Sequence, residues 1–361
     1  MAMEIRIPEF SLVALVGVSG SGKSTFAAKH FVPTEVLSSD RYRGFVADDE
    51  NDQAASGDAF DALFHVAGIR LRRRRLTVVD ATHTQQDARQ RLLALARQHH
   101  ALPVVVVLNL PSKLCIERNA GRPDRNFGKH VIPQQASQLR QSLRGLRREG
   151  FRHVYVLSTP DEVDAAVVRR VRLWTDKRDE RGPFDVVGDV HGCFDELHEL
   201  LCTLGYAIDE REHDGRRRFD VTPPDGRKAV FVGDLVDRGP ASPAVLRLVM
   251  GMVGDGTALC VPGNHEVKLL RKLAGKNVKL AHGLAETMAQ FECEPPEFVA
   301  AVRAFIDGLV SHYVLDGGRL VVAHAGLTEE LQGRASGVVR SFALYGDTTG
   351  EIDEFGLPVR H

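Results

Sequence analysis

The stretch 11-SLVALVGVSGSGKST-25 decides the fold of the first half of the chain. Its opening residues are mostly apolar, with several valines, which is typical of a buried strand in a parallel sheet. From Gly17 to Ser24 the residues fit G-x-x-x-x-G-K-[ST], in which glycines let backbone N–H groups turn toward an anion. A helix is predicted from Lys23, so its N-terminus adds partial positive charge. The stretch therefore predicts a P-loop that binds nucleotide phosphates.

Two side chains of this loop have predicted roles. Lys23 should reach the β- and γ-phosphates, and the Ser24 hydroxyl should ligate the Mg²⁺ that accompanies ATP. The predicted nucleotide-binding residues are Gly17, Ser19, Gly20, Ser21, Gly22, Lys23, Ser24 and Thr25. A P-loop alone does not distinguish a kinase from other enzymes that bind nucleoside triphosphates. The class of enzyme has to be predicted from the segments that follow the loop.

The pattern after the P-loop alternates between strands and helices. Strand-like runs occur at 34–39, 76–82, 102–110 and 151–159, and helical patterns at 58–71, 86–98, 112–120 and 161–174. Such alternation predicts an α/β domain whose parallel sheet is covered on both faces. The charged segment 176–183 ends in Gly-Pro, so we expect it to link a first domain, 1–175, to a second α/β domain, 184–361.

Composition agrees with two soluble domains. Of the 361 residues, 43% are hydrophobic and 26% charged, which is ordinary for globular proteins. No apolar run approaches the roughly 20 residues of a membrane helix, and the five cysteines form no C-x-x-C pair. We therefore expect a cytoplasmic protein with no membrane contact and no disulfide framework.

Charge divides the chain unequally. Residues 1–181 hold 29 Lys/Arg and 21 Asp/Glu, whereas residues 182–361 hold 18 and 27. A basic half suits phosphate-rich partners, and an acidic half suits divalent metals. The basic clusters 70–76 and 143–149 could follow a nucleic-acid backbone, although solvated helix faces are the favoured interpretation.

A carboxylate and an arginine follow the second predicted strand. Asp40 and Arg43 should face the same crevice as the P-loop, because ligands bind beyond the carboxyl ends of parallel strands. Asp40 could be the general base that accepts the proton of an attacking hydroxyl, and Arg43 could bind a phosphate of the acceptor substrate. An Asp that caps the next helix, with solvated arginines beside it, fits the spacing equally well.

Three further residues belong to this predicted site. Asp80 ends a strand and could hold Mg²⁺ through water or brace the substrate site, although a simple turn carboxylate fits nearly as well. Arg118 and Arg122 are four residues apart, so they share a helix face that could stabilise the transferring phosphoryl group. A solvated basic face is the alternative for this pair.

Four short motifs follow predicted strands in the second half. They are D-x-H at Asp189 and His191, G-D-x-x-D-R-G at 233–239, G-N-H-E at 263–266 and H-A-G at 324–326. Ends of neighbouring strands converge, so the motifs predict a site for two divalent metals that clamp a phosphate. His282 and His312 lie outside these motifs and are interpreted as structural.

The order of these motifs resembles the calcineurin-like metallophosphoesterases. The resemblance implies that Asp189 and His191 hold one metal, that Asp234 bridges two metals, and that Asn264 and His324 hold the second. It makes His265 the acid that protonates the leaving oxygen, with Asp237 fixing its ring and Arg238 binding the substrate phosphate. Divalent transition metals such as Mn²⁺ or Ni²⁺ are expected.

The first half resembles the kinase module of bacterial polynucleotide kinase-phosphatases, an RNA repair family. The motifs GVSGSGKST, SSDRYRG, VVDAT and ERNAGR carry this resemblance. It implies transfer of the ATP γ-phosphate to a 5′-hydroxyl of RNA or DNA, with Asp40 as base, Arg43 on the acceptor phosphate, and Arg118 and Arg122 as a lid. An RNA ligase or methyltransferase is an expected partner.

The second half departs from that family after the H-A-G motif. The family's later metal-binding histidine, the C-terminal strands and the ligase-like domain have no counterpart up to His361, so we expect an incomplete phosphoesterase domain. The implied function is healing of broken RNA, by 5′-phosphorylation and by removal of 2′,3′-cyclic or 2′/3′ phosphates. Two alternatives stay open: a small-molecule kinase fused to a protein phosphatase, and a kinase joined to an inactive phosphatase scaffold.

Overall fold

A computed structural model describes residues 3–121, 130–213, 216–352 and 358–360. The chain divides into two compact units. The first is Met1–Leu173 with Arg334–Ser336, and the second is Trp174–Gly333 with Gly337–His361. Within the described ranges, every helix is too short or too polar to cross a membrane.

The strands and helices follow one another in both units. In chain order the strands are β1 (Glu4–Pro8), β2 (Ser11–Gly17), β3 (Val36–Ser38), β4 (Thr77–Asp80), β5 (Leu102–Leu108), β6 (His153–Leu157), β7 (Val167–Val171), β8 (Phe184–Val187), β9 (Ala207–His213), β10 (Arg216–Thr222), β11 (Lys228–Phe231), β12 (Ala258–Cys260), β13 (Tyr313–Leu315), β14 (Leu320–Val322), β15 (Thr348–Ile352) and β16 (Pro358–Arg360). The helices are α1 (Lys23–His30), α2 (Ser39–Ala47), α3 (Ser56–Arg72), α4 (Gln86–Gln98), α5 (Ser112–Ala120), α6 (Val131–Ser142), α7 (Leu146–Glu149), α8 (Pro160–Ala165), α9 (Phe194–Thr203), α10 (Ser242–Gly254), α11 (Asn264–Leu273), α12 (Leu284–Glu292), α13 (Pro296–Gly308) and α14 (Gly337–Tyr345).

The first unit is built on a five-stranded parallel sheet with the order β3-β4-β2-β5-β6. All seven residues of the central strand β2 are buried. Ala14 and Val16 pack into one hydrophobic cluster, whereas Val13 and Leu15 pack into another. Alternate side chains thus fill a core on each face, and burial of each larger one stabilises the unit by about 1.5–3 kcal/mol. The predicted doubly covered parallel sheet is confirmed.

This strand order places three parts of the predicted site at one edge of the sheet. Strands β3, β4 and β2 are neighbours, and the P-loop, Asp40 and Asp80 each lie at or just after the carboxyl end of one of them. The crevice beyond these ends is where an open parallel sheet binds ligands.

The helix predicted over 161–174 is wrong. Helix α8 ends at Ala165, and residues 167–171 form strand β7, which pairs in parallel with β1. Val167, Val168 and Val171 are β-branched and favour extended backbone. Pairing with a strand more than 160 residues away outweighs the local helical pattern, and that contact could not be read locally.

The second unit contains a three-stranded parallel sheet with the order β12-β11-β8. Strands β13 and β14 instead form an antiparallel pair in a separate sheet. The H-A-G motif therefore follows a strand outside the parallel sheet, whereas the sequence analysis places all four motifs at the ends of neighbouring strands. A hydrophobic core that includes Phe231, Leu246 and Ile306 packs helices against the parallel sheet.

Candidate active sites

Backbone geometry explains why the P-loop needs its glycines. Gly20 and Gly22 have φ angles of 79° and 90°, in the left-handed region that glycine adopts without strain. A Cβ atom at Gly20 would stand 2.3 Å from the carbonyl oxygen of Cys115. Lys23 donates from Nζ to the carbonyl oxygen of Gly17 at 2.9 Å. The lysine is therefore folded over the loop whose backbone would receive the phosphates.

A direct hydrogen bond joins the P-loop to the end of β4. The Ser24 hydroxyl donates to Oδ2 of Asp80 at 2.7 Å, and Asp80 is buried. Mg²⁺ prefers oxygen ligands, and the Ser24 hydroxyl and the Asp80 carboxylate both supply them. These residues therefore fit the cation. The contact also gives Asp80 a place in the site that a simple turn carboxylate would not have.

Asp40 lies inside the first turn of α2, whereas Ser38 is the N-cap residue. It forms an ion pair with Arg43, whose Nε atom donates to the carbonyl oxygen of Glu50 at 2.7 Å. Asp40 therefore does not cap the helix. It lies in the first turn, near the positive end of the helix dipole, and beside an arginine that the Glu50 carbonyl holds in place.

One cavity of about 320 Å³ gathers the predicted donor and acceptor residues. Lys23 and Ser24 line it together with Asp40, Arg43 and Asp80. The structure thus brings the phosphate-binding loop, the candidate base and the candidate acceptor arginine to one space.

The same cavity is lined by residues that the sequence analysis missed. They are Gln53, Ser56, Phe60, Val131 and Gln135 among others. Gln135 accepts a hydrogen bond at Oε1 from the backbone N–H of Ser19 at 2.9 Å, although the two are 116 positions apart. No short motif contains these residues, so no local signal identified them.

A separate cavity of about 340 Å³ lies beside the P-loop. Its lining includes Thr25, Arg118, Pro160 and Val163. The Nη1 atom of Arg118 lies 3.6 Å from the position that a Cβ at Gly22 would occupy. Arg118 is therefore next to the phosphate-binding loop, whereas Arg122 lies outside the described residues.

In the second unit, two triads of potential metal ligands share one carboxylate. One consists of His191, Asp234 and His265, and the other of Asp189, Asp234 and His324; within each, the ligand atoms lie within 4.8 Å of one another. Asp234 is buried at the centre. A Cβ at Gly263 would stand 2.0 Å from Asp234 Oδ1, so only glycine leaves room for this carboxylate.

Backbone carbonyls orient two of the imidazole rings. The Nδ1 atom of His191 lies 3.0 Å from the Val236 oxygen, and Nδ1 of His324 lies 2.8 Å from the Val232 oxygen. When Nδ1–H donates to a carbonyl, Nε2 keeps the lone pair that binds a metal. The two Nε2 atoms lie 3.8 Å and 3.6 Å from Asp234 Oδ2.

The amide of Asn264 completes this group, because its Oδ1 atom lies 3.2 Å from Nε2 of His324. Imidazole nitrogens combined with carboxylate and amide oxygens are ligands suited to divalent transition metals. The donor set therefore fits two such ions around Asp234.

His265 is held by a second carboxylate. Its Nδ1 atom lies 2.6 Å from Oδ2 of Asp237, and both side chains are buried. Its Nε2 atom lies 3.9 Å from Asp234 Oδ2, so the ring spans from Asp237 to the shared carboxylate. Arg238 is exposed next to this pair.

Glu266 is a site residue to which the sequence analysis gave no role. Its fully buried carboxylate accepts hydrogen bonds from the backbone N–H groups of Gly263, Asp234 and Leu235 at 2.7–2.8 Å. Burial and the charge of Asp234 raise the pKa of Glu266, against the lowering effect of these N–H groups. Glu266 thus ties two ligand-bearing loops together. Its place as the last letter of G-N-H-E, in the first turn of α11, was the available signal.

Comparisons with known proteins match two stretches of the chain to two different families. Residues 12–148 match the family described as "AAA domain", and residues 182–348 match "Calcineurin-like phosphoesterase". The chain is 43% identical over 180 residues to the bis(5′-nucleosyl)-tetraphosphatase PrpE [asymmetrical] of Geobacillus thermodenitrificans, and over 181 residues to that of Halalkalibacterium halodurans. Each match covers 49% of this chain and 70% of the relative.

Among solved structures, the Pnkp1/Rnl/Hen1 RNA repair complex matches with 15% identity and a TM-score of 0.34. That match covers 72% of this chain and 81% of the other. The motif order, the family matches and the two tetraphosphatase relatives lead to one conclusion: the chain belongs to the calcineurin-like phosphoesterase family, and it carries a P-loop kinase-like domain ahead of the phosphoesterase domain.

Proposed function

We propose that the chain heals broken RNA ends by two opposite reactions. The first unit would transfer the γ-phosphate of ATP to a 5′-hydroxyl end, and the second would remove 2′,3′-cyclic or 2′/3′ phosphates. The observation that carries the kinase half is the single cavity that holds Lys23 and Ser24 together with Asp40 and Arg43. The observation that carries the other half is the pair of triads around Asp234.

In the kinase reaction, the oxygen of the 5′-hydroxyl forms a bond to the γ-phosphorus, and Asp40 accepts the proton that this hydroxyl loses. The bond from that phosphorus to the β–γ bridging oxygen breaks, and ADP leaves. Lys23 binds the phosphates, and Arg43, fixed by the Glu50 carbonyl, binds a phosphate of the acceptor. Ser24 and Asp80 would hold Mg²⁺, which when bound neutralises phosphate charge.

The second cavity beside the P-loop suits the donor base. Pro160 and Val163 offer apolar surface, and the Arg118 guanidinium lies at the loop. A base seated there would lie next to Gly20, Gly22 and Thr25 of the phosphate-binding loop. Arg118 would then stabilise charge on the transferring group.

The resemblance assigns Asp189, His191 and Asp234 to one metal and Asp234, Asn264 and His324 to the other. The structure instead groups Asp189 with His324, and His191 with His265, around Asp234. In the phosphoesterase reaction these ligands would together hold two metals, with Asn264 beside His324. When bound, such ions polarise the phosphoryl group and supply a nucleophilic water. His265 donates a proton from Nε2 to the leaving oxygen, and Asp237 keeps the ring in the orientation for this transfer. Arg238 binds non-bridging phosphate oxygens.

The two reactions have a common purpose. RNA cleavage leaves a 5′-hydroxyl and a 2′,3′-cyclic phosphate, whereas sealing needs a 5′-phosphate and a free 3′-hydroxyl. An RNA ligase would use the product, and a methyltransferase could modify the same end, so both are proposed partners.

The relatives favour a second candidate activity for the second unit. Proteins 43% identical over 180 residues are named asymmetrical bis(5′-nucleosyl)-tetraphosphatases. Hydrolysis of a dinucleoside tetraphosphate would use the same two triads, with a nucleoside phosphate as leaving group.

One pair of assays tests both candidates. Transfer of ³²P from ATP to a 5′-hydroxyl oligonucleotide would be compared with transfer to sugars. With Mn²⁺, release of phosphate from a 2′,3′-cyclic RNA end would be compared with cleavage of diadenosine tetraphosphate, and Asp234→Ala would be the inactive control. Cleavage of the tetraphosphate alone would favour the second candidate, and labelling of sugars alone would contradict the polynucleotide kinase.

A further inference from the structure

Among the non-glycine residues of the second unit, left-handed backbone is concentrated at the candidate metal site. Seven described non-glycine residues of this unit have positive φ angles: Asp189, His191, Asp234, Asp237, Arg238, His282 and Asp316. The first five belong to the phosphoesterase motifs. Strained residues of this kind cluster at active sites because the surrounding structure has to hold them there. His282, with φ of 61°, is the sixth member of the set and lies outside every motif.

The chain next to His282 is fastened to the loop that carries Arg238. A Cβ at Gly283 would stand 2.1 Å from the backbone nitrogen of Arg238, so the two backbones are in direct contact. From the same segment, the hydroxyl of Thr287 accepts a hydrogen bond from the Asp237 N–H at 3.1 Å. His282 therefore has a fixed place beside Arg238.

Its contrast with His312 shows what a structural histidine looks like in this fold. His312 is fully buried, and its Nε2 accepts a hydrogen bond from the Gly333 N–H at 2.9 Å. Burial lowers the pKa of His312 to about 4, which keeps it neutral. His282 is instead exposed. His282 thus combines a backbone fixed next to the Arg238 loop with a side chain open to solvent, a position from which an imidazole can contact a bound ligand.

We propose that His282 is a substrate-contacting residue of the phosphoesterase site, which binds phosphate oxygens of the ester together with Arg238. An imidazole N–H and a guanidinium on adjoining backbones would donate to different non-bridging oxygens of one phosphate. This inference rests on the proposed phosphoester hydrolysis and adds a binding residue to it.

The test measures binding of inorganic phosphate to the full, Mn²⁺-loaded chain by calorimetry. His282→Gly removes the ring and suits the left-handed backbone, so the fold should keep or gain thermal stability. We expect phosphate to bind about tenfold more weakly, the usual order for loss of a hydrogen bond to a charged group. For an ester substrate, KM should rise by a similar factor with kcat within about twofold. Manganese content should stay at the wild-type value.

Asp316→Gly is the matched control, because it relieves the same kind of backbone strain between β13 and β14. It should leave phosphate affinity unchanged. Equal phosphate affinity of wild type and His282→Gly would overturn the inference, as would loss of manganese from that variant. Since binding is measured without turnover, a chain that binds phosphate through His282 but hydrolyses no ester would contradict only the proposed function.

Discussion

The Ser24 hydroxyl and the Asp80 carboxylate are joined by a 2.7 Å hydrogen bond, although 56 positions separate them in the chain. Strand β2 leads into the P-loop that carries Ser24, and the adjacent strand β4 ends with Asp80. Because the two strands are paired, Ser24 and Asp80 form a candidate magnesium site at their ends.

Asp80→Asn should weaken use of Mg²⁺ by the kinase. The amide can still accept from Ser24 but loses the charge behind the cation, so the Mg²⁺ concentration at half-maximal rate should rise about 10- to 100-fold. A magnesium titration of phosphate transfer measures this shift. Asp87→Asn, on the exposed start of α4, is the matched control. An unchanged titration curve for Asp80→Asn would separate Asp80 from the cation.

Asp40→Asn should abolish the chemical step and spare nucleotide binding. The amide cannot take the proton of the attacking hydroxyl, so kcat for transfer to an oligonucleotide should fall about 10²- to 10⁴-fold. ATP affinity, measured by calorimetry, should change little because Lys23 and the loop backbone are untouched. Asp48→Asn at the far end of α2 should behave as wild type. Full transfer by Asp40→Asn would assign the base elsewhere.

Glu266→Gln should weaken metal binding and lower the stability of the second unit. The amide presents one accepting oxygen where the carboxylate accepts from four backbone N–H groups. We expect manganese to bind about 10- to 100-fold more weakly, and stability to fall by about 1–3 kcal/mol. Metal content after dialysis and urea unfolding measure the two effects. Glu199→Gln, exposed on α9, should change neither.

His312 should make the second unit less stable in acid. Its pKa is about 4 when folded and about 6.5 when unfolded, so between these values the unfolded chain binds more protons. Stability is therefore fully present above pH 6.5 and declines as pH falls toward 4, by about 3 kcal/mol in total. Trp174, the single tryptophan, belongs to this unit. Its fluorescence can follow urea unfolding at pH 7 and pH 4.5.

His312→Gln should show a smaller loss of stability between these two pH values, because the side chain has no proton to gain. His282→Gly should keep the wild-type dependence. A pH dependence of His312→Gln equal to that of wild type would show that another group titrates.

The sequence predicted those parts of the fold that local pattern determines. The apolar run before Gly17 identified the central buried strand, and the motifs contain the side chains that the structure brings together around Asp234. Strand β7 was missed because its partner β1 lies far away in sequence, so only the folded sheet supplies its backbone hydrogen bonds. The same reason hid Gln135, whose partner is a backbone N–H group of a distant loop. Glu266 belongs to the G-N-H-E motif, but its hydrogen bonds to Asp234 and Leu235 could be seen only in the folded chain.

The two cavities beside the P-loop have only Gly20 and Gly22 in common among their lining residues. A donor base seated in the cavity of Arg118 and an acceptor end entering that of Asp40 would share no side chain, and the acceptor would meet the donor only at the phosphates beside Lys23 and Ser24. Nucleotide and polynucleotide could then arrive and depart in either order, and double-reciprocal plots of initial velocity would intersect rather than run parallel. A spent ADP could be exchanged while the RNA end stays in place.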